Sequence, residues 1–170
     1  MATTTARAAE SSVTQQSLIT LLRELLYGPA KEFAFVLNPG DVGLLASLDK
    51  LSAVQASARP EGRPSIAAHV DHLAYGLSLT NRWIRGEEDP FSKADYAASW
   101  TRQTVDEDGW RKLRARLGEE AAAWVEAAGT PRPWDVETLT GAFGSVVHLA
   151  YHVGAIRQVD AATHGPRATD

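Results

Sequence analysis

Four of the chain's five histidines lie in two short windows, and their spacing is the clearest chemical signal in the sequence. His148 and His152 are four residues apart. This is one turn of an α-helix, so both imidazoles would project from the same face. A helical pair at this spacing can bind one metal ion, as paired histidines do in helical zinc sites. Such a pair needs a third donor from elsewhere: His72 is the first choice, and His69, one turn earlier on the same flank, is the reserve candidate.

The tetrapeptide H-L-A-Y occurs twice, beginning once at His72 and once at His148. When the two histidines are aligned, apolar residues at helical spacing also align, Val70 with Val146 among them. Each histidine then lies on the same side of its helix's apolar stripe, so similar helices can present them from equivalent faces of one core. The competing interpretation is a chance match between helices whose histidines are exposed or simply hydrogen-bonded.

The composition narrows the kinds of partner and metal ligand. The chain has 170 residues, no cysteine and a formal net charge of -4. Because cysteine is absent, any metal must be bound by nitrogen or oxygen donors. The negative net charge gives the protein no overall electrostatic attraction for phosphate groups, so we expect no nucleic-acid partner. Charged residues interrupt the apolar runs, which predicts no membrane partner. The first residues lack the hydrophobic centre of a secretory signal, so we expect a cytoplasmic protein.

Amphipathic helices account for most of the chain, and no segment has a strong strand pattern. Start and stop signals predict a short helix with Asp41 as its N-cap and an ordered loop over residues 89–106. We therefore predict an all-α protein, a four-helix bundle with an additional short helix and ordered loops. One domain is expected over residues 15–163, between a disordered extension (1–14) and a frayed tail (164–170). The predicted helices cover residues 17–27, 41–55, 64–85, 107–128 and 139–162.

The stretch from His148 to Gln158 has the form H-x-x-x-H-x-x-x-x-R-Q. Together with the helix that carries His72 and Leu73, it resembles the DinB-like (DinB/YfiT) superfamily of metal-dependent four-helix-bundle proteins. The resemblance implies an up-down-down-up bundle, a homodimer, and metal ligands at His72, His148 and His152. His69 is not part of the family's common pattern.

Three neutral imidazoles would leave a position on the metal open to water or substrate, as in catalytic sites. They suit a divalent transition metal, with zinc or nickel ranked first and iron as an alternative. The resemblance implies a transferase or hydrolase that acts on a small-molecule substrate through a metal-activated thiolate or water, with a low-molecular-weight thiol as a candidate partner. The alternative function is a non-catalytic, stress-related bundle that binds a metal or ligand and dimerises.

No catalytic residue can be assigned from the sequence. The paired histidines lack the glutamate of H-E-x-x-H, so a zinc peptidase is not expected. Tyr75 and Tyr151 each follow a histidine by three residues and are candidates for hydrogen bonding near the metal, although packing of their rings is the simpler role. Arg157 is a candidate for binding a substrate carboxylate, with a solvated helix-end arginine as the alternative.

Overall fold

The computed structural model describes residues 2–30 and 33–167, with side chains from residue 13 onward. Within these residues the chain forms α-helices and short 3-10 turns and has no strand, so the all-α prediction is confirmed. The α-helices are α1 (Ala2–Tyr27), α2 (Gly43–Leu48), α3 (Ala53–Ser57), α4 (Ile66–Ile84), α5 (Glu107–Gly129) and α6 (Val136–Arg157). The 3-10 turns are Ala98–Trp100 and Ala161–Thr163.

The four long helices pack around one apolar core. α5 and α6 each contact both α1 and α4. Leu22 of α1, Leu73 of α4, Trp124 of α5 and Leu149 of α6 are all buried within the same cluster. Burial of these apolar faces is the main source of stability for helices of this kind, since helix propensity alone contributes little. The packing places α4 and α6, the helices with the H-L-A-Y repeats, in direct contact.

The first helix is longer than the leucine spacing predicts. It begins at Ala2 rather than near Ser17, so residues 2–14, expected to be a disordered extension, are helical. Met1 lies outside the described residues. The segment has no glycine or proline before Gly28 and contains several alanines, so nothing in the backbone stops the helix from extending N-terminally from its leucine-rich end.

The short helix predicted over residues 41–55 is instead two helices, α2 and α3. Ser52 interrupts it: its backbone is extended, its hydroxyl accepts from the Gln55 N–H, and the Gln55 side chain accepts from the Ser52 N–H. This capping box starts a new helix. Asp41 is not an N-cap, because Val42 occupies that position. The Asp41 carboxylate accepts from the N–H of Gly43 at 2.8 Å and binds Arg157.

Side-chain caps fix where the three longer C-terminal helices begin. The side chains of Ser65, Asp106 and Asp135 each accept from the backbone N–H three residues further on, which satisfies one of the unpaired donors at a helix start. α6 consequently begins three residues before the predicted Leu139. It ends at Arg157 rather than near residue 162, and a 3-10 turn follows.

The connection between α4 and α5 is ordered, as predicted, and lies against α4. Arg102 donates to the Asp71 carboxylate at 2.9 Å, and Arg116 of α5 contacts the same group at 3.2 Å. The Gln103 side chain accepts from the N–H of Ser65 at 2.9 Å. These contacts hold the 3-10 turn of this connection beside the histidine-bearing part of α4.

The described part of the predicted tail, residues 164–167, is hydrogen-bonded to the helical domain. His164 is exposed, and its Nε2 lies 2.6 Å from the carbonyl oxygen of Arg157. The carbonyl oxygen of Pro166 accepts from the side chain of Asn38 at 2.7 Å. Residues 168–170 lie outside the described residues, and the division of the chain into extension, domain and tail stays a prediction.

Candidate metal centre

α4 and α6 bring His72, His148 and His152 together. The Nε2 atom of His148 lies 3.1 Å from Nε2 of His72 and 3.0 Å from Nε2 of His152. One donor atom from each ring lies within 4.8 Å of the other two. Nitrogens bound to one zinc at about 2.0–2.1 Å in tetrahedral geometry are about 3.3 Å apart. The three histidines could therefore hold a metal ion with small adjustments of their rings.

Local helix geometry explains how the rings converge. His148 and His152 follow each other by one turn on the side of α6 that faces α4. Gly76 of α4 lies opposite, and a Cβ atom built there would be 3.7 Å from Cε1 of His148. The second H-L-A-Y helix thus contributes two histidines, whereas the first contributes one histidine and, one turn later, a glycine that leaves room for the His148 ring.

Ser99 fixes the orientation and tautomer of His72. Its hydroxyl donates to the carbonyl oxygen of Tyr96 at 2.7 Å and lies 2.9 Å from Nδ1 of His72. Because serine has a single O–H, the oxygen must accept from Nδ1–H of the imidazole. The Nε2 atom of His72 then carries a lone pair, which points towards His148 and His152.

His69 contacts the opposite nitrogen of His152. Its Nδ1 atom lies 2.9 Å from Nδ1 of His152, so one of these atoms donates and the other accepts. If His152 donates, its Nε2 atom is free to bind a metal, the usual arrangement when a ligand histidine is held by a neighbouring acceptor. His69 is therefore placed beside a ligand candidate rather than in the group formed by the other three.

The Nε2 atoms of His72, His148 and His152 lie so close together that hydrogen bonds between them cannot use all of their lone pairs. Since the Ser99 bond leaves a lone pair on Nε2 of His72, a proton at this cluster must sit on His148 or His152. The Nε2 atom of His148 carries at most one proton, yet it closely approaches both other nitrogens. One cation can accept all three lone pairs at once. The donor set fits a divalent transition metal, because imidazole suits zinc, nickel, iron and copper.

Burial keeps these imidazoles neutral, the form that binds metals. Desolvation is the main cause, followed by the neighbouring histidines; together they lower the pKa of His72 to about 4 and that of His152 to about 3. Burial also lowers the pKa of His69 and of His148. Protons therefore compete weakly with a metal near neutral pH.

Two residues at the site come from the α4–α5 connection and were not predicted from the sequence. Ser99 is buried beside His72. The Trp100 ring stacks on His72, with ring centroids 4.3 Å apart and an interplanar angle of 20°, and meets His69 edge-on at 5.2 Å. No local pattern marks either residue, because both reach the histidines only through the path of a loop distant in sequence.

The other candidates named from the sequence lie at the margins of the site. The hydroxyl of Tyr75 accepts from the backbone N–H of Asp95 at 2.9 Å. The Tyr151 ring meets that of His152 at 5.1 Å, but its side chain is largely exposed. Arg157 donates to both oxygens of Asp41, at 2.9 and 2.8 Å. Its guanidinium is thus used in an ion pair.

A cavity of about 500 Å³ adjoins the histidines between α4, α6 and the loop that carries Phe91 and Tyr96. His72 and His148 form its polar end. A second depression of about 720 Å³ runs along the outer face of α6 and shares Gly144 and His148 with the first. Small-molecule sites are typically of this size.

The outer face of α6 is apolar and exposed. Val147 is 67% exposed and Tyr151 is 69% exposed. Among the described residues, α6 is the one helix long and apolar enough to cross a membrane by length and composition, with a mean hydropathy of 1.2 and one third of the window buried. A single helix of this kind is weak evidence for a membrane span, since helices of soluble cores can meet the same criteria.

The fold and this site define an all-α protein with a histidine cluster suited to a metal ion. A family model described as the DinB superfamily matches residues 43–156, two thirds of the chain. The chain belongs to the DinB superfamily, which confirms the resemblance noted in the sequence. The matched region begins at α2 and includes all four clustered histidines. No curated protein and no solved structure gave a significant match.

Proposed function

We propose that this protein is a metal-dependent enzyme acting on a small molecule, with His72, His148 and His152 as the ligands of a divalent transition metal. The convergence of three Nε2 atoms beside an open cavity is the observation that carries the proposal. Zinc and nickel rank first and iron second. The reaction class is thiol transfer or hydrolysis.

A bound metal would supply either a hydroxide from water or a thiolate from a low-molecular-weight thiol. The chain's own residues hold the ligands: Ser99 accepts from His72, His69 contacts His152, and Trp100 covers the His72 ring. Among the residues that the structure describes, none in the cavity lining is a carboxylate or a lysine. A thiol that binds as thiolate needs no strong protein base at the site, which favours thiol transfer over a mechanism that depends on a carboxylate base.

A non-catalytic bundle is the second candidate function. The exposed apolar face of α6 favours it, because exposed apolar patches often mark a surface that binds another molecule. In this function the protein binds a metal or ligand, dimerises and responds to stress without catalysing a reaction. The absence of a carboxylate from the cavity lining is equally consistent with this role.

The family resemblance implies a homodimer, and we propose that its interface is the outer face of α6.

We also propose the up-down-down-up arrangement of the four long helices. The long connection between α4 and α5, residues 85–106, supports this arrangement. Two neighbouring helices that run in the same direction need such a connection, because the chain must cross the length of the bundle between them. Cytoplasmic localisation and the lack of nucleic-acid or membrane partners belong to the same proposal.

Metal analysis of the purified protein tests the proposed site. We expect about one metal per chain in the wild type and almost none in a His148→Ala, His152→Ala double variant. His164→Ala is the matched control, because His164 is exposed and lies outside the cluster. Equal metal content in the wild type and the double variant would remove the basis of the enzyme proposal.

Metal-loaded protein then separates the two functions. An enzyme should transfer a thiol to, or hydrolyse, members of a panel of small electrophiles, and the double variant should not. A protein that binds metal at full stoichiometry but has no activity beyond that of the double variant would support the non-catalytic bundle.

A further inference from the structure

The cavity beside the three histidines is lined mainly by apolar residues. None of the twelve described residues that line it carries a carboxylate, ammonium or guanidinium group. Leu73, Leu77 and Leu149 supply much of its wall, with Phe91 and Tyr96 at the loop side. A charged group held against this wall would find no ion-pair partner among the described lining residues, and any hydration that it lost there would not be compensated.

The hydroxyls in the lining are largely used elsewhere. The Thr80 hydroxyl donates to the carbonyl oxygen of Gly76 at 3.1 Å. Ser145 donates to the carbonyl oxygen of Ala142 at 2.6 Å and accepts from Trp124 Nε1 at 3.0 Å. Apart from the two histidines and the Tyr96 hydroxyl, the described part of the wall therefore offers a ligand few polar groups.

Two glycines of α6 line this space, and they differ: a Cβ atom at Gly141 would lie 2.7 Å from the Trp83 ring, whereas Gly144 leaves open space. Gly141 and Gly144 line the cavity from α6. A Cβ atom at Gly144 would meet no atom within 4 Å, so a side chain there would extend into open space. Gly144 also lies where the cavity meets the outer groove of α6. We expect a larger residue at this position to occupy part of the space shared by the two depressions, since its Cβ atom would meet no other atom of the described chain within 4 Å.

We infer that this cavity binds the uncharged, apolar body of the substrate, with the reacting group held at the His72 and His148 end. The substrate class is thus a neutral small molecule with an aliphatic or aromatic portion, and a charged group on that portion weakens binding. The inference rests on the proposed function for the role of the histidine end, whereas the apolar specificity rests on the cavity wall alone.

A series of thiols of increasing length tests the inference. Ethanethiol, butanethiol and hexanethiol are titrated into zinc-loaded protein by calorimetry, with 6-mercaptohexanoate as the charged-tail probe. We expect affinity to rise by up to about fourfold for each methylene buried. The carboxylate-tailed thiol should bind at least tenfold more weakly than hexanethiol. No dependence on length, or equal binding of the charged probe, would overturn the inference.

Matched variants locate the effect in the cavity. Gly144→Phe should abolish the length dependence while metal content stays unchanged. Gly154→Phe is the control: it lies on the same helix, its Cβ would also meet no atom within 4 Å, and it does not line this cavity. Length dependence that survives in Gly144→Phe would place the tail elsewhere and contradict the inference.

The dependence of affinity on chain length is also measured in metal-free protein. Butan-1-ol and hexan-1-ol are titrated, and their binding is followed through the methyl NMR signals of Leu73 and Leu77. We expect tighter binding of the longer alcohol in the wild type and in Gly154→Phe only. If metal analysis shows no bound metal, the proposed function fails while this measurement still decides the apolar specificity. Absence of any chain-length effect here would overturn the inference independently of the metal.

Discussion

Nδ1 of His69 lies 2.9 Å from Nδ1 of His152, while Nε2 of the same ring lies 3.0 Å from Nε2 of His148. We expect this contact to give His69 a role different from that of a fourth ligand. By accepting from Nδ1–H of His152, His69 would hold the ring so that its Nε2 atom faces His148. Mutation of a residue that holds a metal ligand in this way typically lowers metal affinity by about 10- to 100-fold.

We expect His69→Phe to retain one metal per chain at saturation but to bind it about 10- to 100-fold more weakly. Phenylalanine keeps an aromatic ring beside Trp100 but leaves Nδ1–H of His152 without this acceptor. Competition with a chelator measures the affinity. His69→Gln, which restores an acceptor, should recover part of the loss; a complete loss of metal in both variants would instead identify His69 as a ligand.

Ser99→Ala should weaken metal binding by about tenfold or more, because Nδ1–H of His72 loses its buried acceptor and the ring can take the wrong tautomer. The measurement is again chelator competition on purified protein. Ser92→Ala is the control, since Ser92 is an exposed serine of the same connection. Unchanged affinity in Ser99→Ala would show that Ser99 does not position His72.

Acidification should destabilise the metal-free protein through its histidines. The folded pKa values of His72 and His152, about 4 and about 3, lie below the ordinary value of 6.5. The unfolded chain therefore binds protons that the folded chain does not. The stability that these groups contribute is fully present above pH 6.5 and is lost as the pH falls towards the folded values.

Urea unfolding with a chelator present, at several pH values between about 7.5 and 5, measures this effect. Wild-type protein should lose more free energy of unfolding over this range than a His72→Gln, His152→Gln variant, in which the two titrating groups are absent. Parallel pH profiles for the two proteins would contradict the assignment of the effect to these histidines.

Arg157→Met should lower the free energy of unfolding by about 3 kcal/mol, since removal of one partner of a buried ion pair leaves the other charge uncompensated. The side chain of Asp41 is 1% exposed. Metal content should not change. Arg85→Met, at an exposed helix end, is the control in urea unfolding. Unchanged stability combined with weaker binding of small carboxylates would restore the hypothesis that Arg157 binds substrate.

Sequence patterns predicted the helices that carry the site and the pairing within α6. Apolar spacing identified all four long helices, because a buried helical face must repeat every three to four residues. The interval between His148 and His152 fixed their common face for the same local reason. The repeated H-L-A-Y segment pointed to His72, and the structure places its ring beside theirs.

Other features depend on contacts between segments far apart in sequence. Helical periodicity could not show that Ser99 and Trp100 reach His72, because the path of a loop is set by long-range contacts such as Arg102 with Asp71. It also could not distinguish His69 from His72, since both lie on the same flank of α4.

The sequence by itself therefore determined an all-α DinB-type chain with histidines at ligand spacing, since helical periodicity and the H-L-A-Y motif are local properties. Tertiary structure alone decided which nitrogens face one another, which neighbours hold them, and that an apolar cavity adjoins them. These properties follow from how α4, α6 and their connecting loops pack, and packing depends on the shape of the whole core rather than on any one segment.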